Sequence, residues 1–381
     1  MTIRLPQAER RWKAGFAAVL RSLLRTRSAS PPHPNQVRRV LIIRQHNQLG
    51  DMLCVVPLLR AVRQFAPSAH VTLLASPENA SPMQHHRYLD DLILFDKRQF
   101  LTRWGIRPVR LVRFLENLHK RNFDVVIIPA TVSMSFTSDF LGWVTGAPWR
   151  VGARSLEGRA NPAGVFHTLV RDLDWRGKES HQVMRNWEVA ADFLPVPHEL
   201  AHEITLTKLE VAEGKSLIDS YLQNSPGAVV LHPGAGKPAN RWPVDRFARL
   251  AEYFLRETPL CVLVTAGPMD SAEHSYLEKA LGNRVKFIVN EPVRRVASIL
   301  LHCKLIVSND TGIMHLGAAV GTPLLSLFGP TDPKQWAPLG PKNRYLLAEG
   351  GNLENLGFEE VRQVAGSMLQ RHIGSSSTNA R

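Results

Sequence analysis

The chain has 381 residues, 44% hydrophobic and 21% charged, the balance of a globular protein with a real core and two or three domains. Its three cysteines (Cys54, Cys261 and Cys303) lie far apart in apolar runs, which excludes a disulfide framework or a cysteine metal site and fits a reducing compartment. The formal net charge of +14 is local: residues 1–44 hold ten Lys/Arg against Glu9, leaving +5 for the other 337 residues, so no nucleic-acid partner is expected.

Residues 9–27 put Trp12, Phe16, Val19, Leu20, Leu23 and Leu24 on one helical stripe, with arginines and Lys13 around the rest. Such a helix suits an anionic membrane surface, or equally a packed position on the protein's own domain. Its apolar core is short for a signal peptide and is broken by Arg21, and no segment approaches transmembrane length. A Pro/Ser linker, SASPPHPNQ at 28–36, closes this arm, taken as residues 1–35. Short apolar strands then alternate with helices: VLIIR (40–44), a helix from about Leu49 to Phe65, HVTLLAS (70–76), DLILFD (91–96) and FDVVIIPA (123–130). A helix from about Lys178 to Phe193 leads to a boundary at LPVPHELAHE.

The alternation resumes with AVVLHPG (228–234), LCVLVTAG (260–267), VKFIVN (285–290), KLIVSND (304–310) and PLLSLFG (323–329). This predicts an α/β protein of two Rossmann-like domains, 36–200 and 201–352, whose parallel sheets face a central cleft. A last helix (353–373) and a disordered polar tail (374–381) follow.

The residues that need explaining sit at strand ends. Asp51, beside Gly50, falls in a first helical turn, where the helix dipole favours its ionised form; it is either a general base or a helix-stabilising acid. Gly50 permits close approach of a ligand to the backbone. In LHPGAGKPANRWP, Gly234 and Gly236 precede Lys237 and Arg241, a pattern that suits a phosphate but lacks the P-loop ending and also fits an ordinary polar connection. In SNDTGIMH, Thr311 and Gly312 open a helix whose free amides fit a diphosphate, and His315 lies one turn in. Asp310 there would repel an anion, cap the helix, or point toward sugar or ribose hydroxyls. Asp270 and Glu273, after Gly267-Pro268, are further candidates for ligand hydroxyls. Asp172 and Asp174 form an Asp-x-Asp pair away from the strand ends and are rejected as a metal site.

Three stretches together, LGDMLCVVPLLRAVR (49–63), LHPGAGKPANRWPVDRFARLA (231–251) and SNDTGIMHLGAAVGTPLLSLFGPTDPKQW (308–336), resemble glycosyltransferase family 9, the lipopolysaccharide heptosyltransferases. The resemblance covers about residues 38–372 and leaves out the basic arm. It implies a GT-B architecture and inverting transfer of heptose from ADP-heptose to the lipopolysaccharide inner core, with no metal. Its partners would be the nucleotide sugar and a lipid-linked acceptor, at the cytoplasmic face of the inner membrane. Carried over, Asp51 matches the proposed general base, reaching the donor from the opposite lobe. Thr311, Gly312 and His315 match the diphosphate turn, Asp310 its neighbouring acid, and Gly234 the phosphate loop of the second domain. Many members place a lysine two residues before the Trp-Pro pair, where this chain has Asn240; Lys237 or Arg241 would then supply the charge. The ribose-contacting acid is Asp270 or Glu273. Rival readings are a relative using another nucleotide sugar or acceptor, and a sugar-nucleotide epimerase on the same fold.

Overall fold

The computed structural model of the chain describes residues 28–45, 48–102 and 105–376. The amphipathic stretch 9–27 and the end of the polar tail, 377–381, lie outside the described residues. The chain divides into two compact units, residues 1–47 with 54–199 and residues 48–53 with 200–381.

In the first unit, β1 (Arg39–Arg44), β2 (His70–Ala75) and β3 (Asp91–Leu94) pair in parallel. A two-stranded ribbon, β4 (Leu101–Thr102) and β5 (Gly105–Ile106), lies off this sheet. Beyond β1 come β6 (Val125–Ile127) and β7 (Trp149–Leu156), then the short antiparallel β8 (Arg159–Ala160) and the parallel β9 (Leu169–Leu173), both pairing with β7. Neither β7 nor β9 was expected from sequence: β7 carries Arg150, Gly152 and Arg154 and so lacks an apolar run. Asp172 lies on β9 and accepts from Ser155 Oγ at 2.7 Å, while Asp174 pairs with Arg176 at 2.5 Å. The helix expected over 178–193 is confined to Gln182–Glu188.

The second unit holds β10 (Ala228–His232), β11 (Cys261–Ala266), β12 (Lys286–Val289), β13 (Leu305–Asn309), β14 (Leu324–Phe328) and β15 (Asn343–Leu347). All six are parallel in the order β12-β11-β10-β13-β14-β15. That is the order of a Rossmann sheet, and it reverses direction between β10 and β13, where such sheets bind ligands. Alternation along β10 divides the core: Val229 and Leu231 pack with the helices Val244–Glu257 and Phe358–Ser376, whereas Ala228 and Val230 pack with Val293–Leu300 and Gly312–Ala319. The last helix begins at Phe358, after the 3-10 turns Glu349–Gly351 and Leu353–Asn355. The buried Trp242 fastens this C-terminal segment, its Nε1–H donating to Leu356 O at 2.8 Å beside Arg246 Nη1 at 2.8 Å.

One difference from the sequence reading changes where Asp51 sits. The expected helix 49–65 is two helices, Leu49–Leu53 and Val56–Phe65, broken at Cys54-Val55. Pro57 explains the break, because it has no N–H to donate and its ring would collide with the carbonyl of Leu53 in a continuous helix. The short helix Leu49–Leu53 packs with the second unit, Leu53 entering its core. Among the described residues no helix is long and apolar enough to cross a membrane.

Candidate active site

The loop after β10 is held by buried polar groups. Asn309, fully buried at the end of β13, donates from Nδ2 to Pro233 O at 2.7 Å and accepts from the Trp242 N–H at 3.1 Å. One amide side chain thereby satisfies both ends of the loop, as buried backbone groups require. Gly234 is fixed by Asp270: a Cβ there would sit 2.1 Å from Asp270 Cγ. Asp270 itself is buried and accepts from Gly267 N–H at 2.7 Å. His232 Nδ1 lies 3.1 Å from Thr265 O and 3.0 Å from Thr265 Oγ1, so the ring is anchored to Thr265. Burial pushes the His232 imidazole below its ordinary value against the opposing charge of Asp270, so the ring is neutral.

The two cations of the loop behave differently. Arg241 donates from Nε and Nη2 to Ala235 O at 3.0 and 2.8 Å and pairs through Nη1 with Glu273 at 2.7 Å. Its guanidinium therefore braces the loop. Lys237 is exposed and its charge acts on Asp310. Asn240 is buried and donates from Nδ2 to Asp310 Oδ2 at 2.9 Å and Thr331 Oγ1 at 3.2 Å. Burial holds the Asp310 carboxyl above the usual carboxylate range, opposed by the Thr331 hydroxyl and Lys237.

Thr311 is the N-cap of the helix Gly312–Ala319, with extended backbone (φ −158°, ψ 174°) and no capping bond from its own side chain. Its hydroxyl is not spent on the helix end, where backbone amides point outward. The helix Leu49–Leu53 lies against this helix, and two glycines let them approach. A Cβ on Gly312 would meet Leu49 Cβ at 3.0 Å, and one on Gly50 would meet His315 Cδ2 at 2.5 Å. The space beside Gly50 is thus filled by His315, whose buried ring also contacts His202 edge-on at 5.0 Å. Asp51, 6% exposed, accordingly belongs to the same compact unit as Thr311, not to the opposite lobe as the sequence reading expects.

A cavity of about 360 Å3 opens at the carboxyl ends of β10, β11 and β12, reaching the start of the helix at Gly312. Of the residues singled out from sequence, Asp270, Thr311 and Gly312 line it. Gly234, Lys237, Arg241, Glu273, Asp310, His315, Gly50 and Asp51 do not. Gly236, part of the loop pattern read as suiting a phosphate, also lines it, and the wall adds His232, Ala235, Asn290 and Glu291, which the sequence reading did not select as ligand residues. The signal for the last two was the strand end at Asn290, the same signal that marked the other loops. A cavity at the switch point, apolar along one side and bounded by a helix N-terminus, has the chemistry to hold a nucleotide by its base and its phosphates.

A sequence profile described as glycosyltransferase family 9 (heptosyltransferase) matches residues 111–363. Lipooligosaccharide heptosyltransferase 2 of Haemophilus influenzae is 34% identical over 253 residues, 62% of this chain and 69% of that protein. Lipopolysaccharide heptosyltransferase 1 of Escherichia coli K12 is 24% identical over 340 residues, 87% of this chain and 100% of that protein. Among solved structures, E. coli ADP-heptose lps heptosyltransferase II superposes with a TM-score of 0.72 at 22% identity, covering 87% of this chain and 99% of that one. This structural likeness carries the fold, two Rossmann-like parallel-sheet domains of GT-B type. The profile spans well over half of the sequence, and by that measure the chain is a glycosyltransferase and belongs to glycosyltransferase family 9.

Proposed function

We propose that the protein transfers a heptose from ADP-heptose to the inner core of lipopolysaccharide, with inversion, without a metal, and with Asp51 as general base. The observation that carries the reading is the cavity at the sheet's switch point, bounded by the helix end at Thr311–Gly312, where the N-cap hydroxyl makes no capping bond. In this reading the acceptor hydroxyl attacks the anomeric carbon, and the bond from that carbon to the diphosphate oxygen breaks. The leaving diphosphate keeps the electron pair, and the hydroxyl proton passes to the Asp51 carboxylate. Charge developing on the diphosphate is met by the amides of Gly312 and its successors, the Thr311 hydroxyl and Lys237, while Arg241 holds the loop in place. His315 supports the turn from one helical turn in, and Asp310 and Asp270 stand beside the sugar and ribose. The family relationship, the relatives' printed activities and the motif at Asp51 support this assignment.

Asn240 favours a second reading at one point. Where a lysine is expected, this chain has a neutral amide bonded to Asp310, so a relative of the enzyme acting on a different nucleotide sugar is the alternative. We place the enzyme in the cytoplasm, peripheral on the inner membrane through residues 9–27, where a lipid-linked acceptor would be met.

Two measurements test the proposal. A panel of nucleotide sugars followed by thermal shift is expected to give its largest stabilisation with ADP-heptose; a larger shift with a UDP- or GDP-sugar would replace the donor. Asp51→Asn should lower the transfer rate about a hundredfold or more, the scale of general-base catalysis, and leave ADP affinity within about twofold. Unchanged turnover would remove Asp51 from the reaction.

A further inference from the structure

Away from the helix terminus, the cavity wall is built by Ile288 on β12 and by Val293 and Val296 on the helix Val293–Leu300. Two acids line the cavity. Asp270 is committed to Gly267 N–H and fills the space over Gly234. The other is Glu291, placed among these apolar side chains by the local backbone. β12 ends at Val289, and Asn290 then turns the chain with φ 55°, a left-handed conformation that asparagine tolerates. The Asn290 N–H donates to Ala266 O at 2.9 Å, and Pro292 follows as the N-cap of the next helix. Glu291 is therefore fixed between a bonded left-handed residue and a proline. Its Oε2 lies 3.5 Å from Arg295 Nη1, one turn further on. Glu291 makes no other hydrogen bond or ion pair among the described residues, which leaves Oε1 available.

An ionised carboxylate only accepts hydrogen bonds, and on an apolar wall it favours a ligand edge that donates to it. The flat, weakly polar part of a nucleotide is its base, and the apolar side of the cavity suits a base while the helix end suits phosphate. Resting on the nucleotide reading above, we infer that Glu291 reads the exocyclic amino group of the donor's base. It thereby selects an amino-bearing base (adenine, guanine or cytosine) over uracil or thymine. A base presenting a carbonyl at that edge would bring its oxygen against the carboxylate, a repulsive contact that disfavours it.

Calorimetric titration of the full chain with ADP, UDP and purine riboside 5′-diphosphate tests the assignment. The last ligand keeps the ring, ribose and diphosphate of ADP but has no amino group. The wild-type protein should bind ADP about tenfold or more tightly than either, the scale of one hydrogen bond to a charged group. In Glu291→Ala the preference for ADP over the des-amino ligand should shrink to within about twofold, with the des-amino affinity itself little changed. Glu291→Gln, which keeps an acceptor oxygen, should retain part of the preference. Equal wild-type affinities, or a preference that survives in Glu291→Ala, overturns the role of Glu291 while leaving the nucleotide site standing. If no nucleoside diphosphate binds, the nucleotide reading fails and this inference fails with it.

Discussion

A methyl group at Gly234 would sit 2.1 Å from Asp270 Cγ and 2.2 Å from Oδ1, so this glycine is needed to make room for a buried carboxylate. Gly234→Ala is expected to cost about 1–3 kcal/mol, the usual penalty for overpacking, measured by chemical denaturation. Stability equal to wild type would mean that Asp270 can move aside. The sequence marked this glycine correctly as special, but its pattern suggested contact with phosphate, whereas its neighbour in the fold is an acid. Arg241 shows the same limit. A cation beside a glycine loop reads as an anion ligand, yet here its guanidinium is turned onto Ala235 O and Glu273. Spacing along a chain places a side chain near a site and says nothing of which way it points. Thr311 and Gly312 were legible because what matters there is the helix end itself, which strand, turn and helix patterns locate directly.

At the scale of elements, the central strands were legible because they are buried on both faces, and the missed β7 and β15 carry charged or polar residues that interrupt any apolar run. Every residue of β10, β13 and β14 is buried, giving the continuous apolar runs on which the expectation rested. β15, at the sheet edge, has no buried residue and was not expected from sequence. The helix Lys208–Leu222 illustrates how its own ends fix an element. Thr207 Oγ1 accepts from Glu210 N–H at 3.2 Å while Glu210 Oε2 accepts from Thr207 N–H at 2.8 Å, a capping box further tied to Arg294 Nη2 at 2.6 Å. The Arg294 guanidinium, aided by the Thr207 groups, holds the Glu210 carboxyl at about 2 against its ordinary 4.5. The unfolded chain then binds the proton more readily, so this stabilisation is present above pH 4.5 and is lost as pH falls toward 2. Glu210→Gln should lower Tm by about 2–4 °C at pH 7, and the gap to wild type should narrow steadily as pH falls from 4.5 toward 2. A gap of constant size across that range would show that the carboxylate's charge is not what matters.

For the molecule as a whole, the two-domain GT-B plan was legible because alternation of strand and helix stops near residue 195 and starts again. What sequence order could not convey is that Gln48–Leu53 travels with the second unit, since that depends on Gly50 and Gly312 letting two helices touch. The basic arm is attached just before a well-anchored stretch. Ala29 N–H donates to Thr168 O at 3.0 Å, and Trp149 Nε1–H donates to Ser30 O at 2.9 Å. Deleting residues 1–27 therefore spares these bonds while removing seven basic residues and Glu9. Such a deletion should cut binding to anionic vesicles at least several-fold in a sedimentation assay, since each basic residue near such a surface is worth about 1 kcal/mol. ADP affinity should not change, and undiminished vesicle binding would assign the arm some other task.

The grip of Trp242 and Arg246 on the Leu356 carbonyl has a further consequence. The tryptophan that closes the loop bearing Lys237 is itself secured by backbone from far downstream. A premature stop or a proteolytic cut before residue 356 would release it. A chain truncated in this way would loosen that loop first, at a point remote in sequence from the damage.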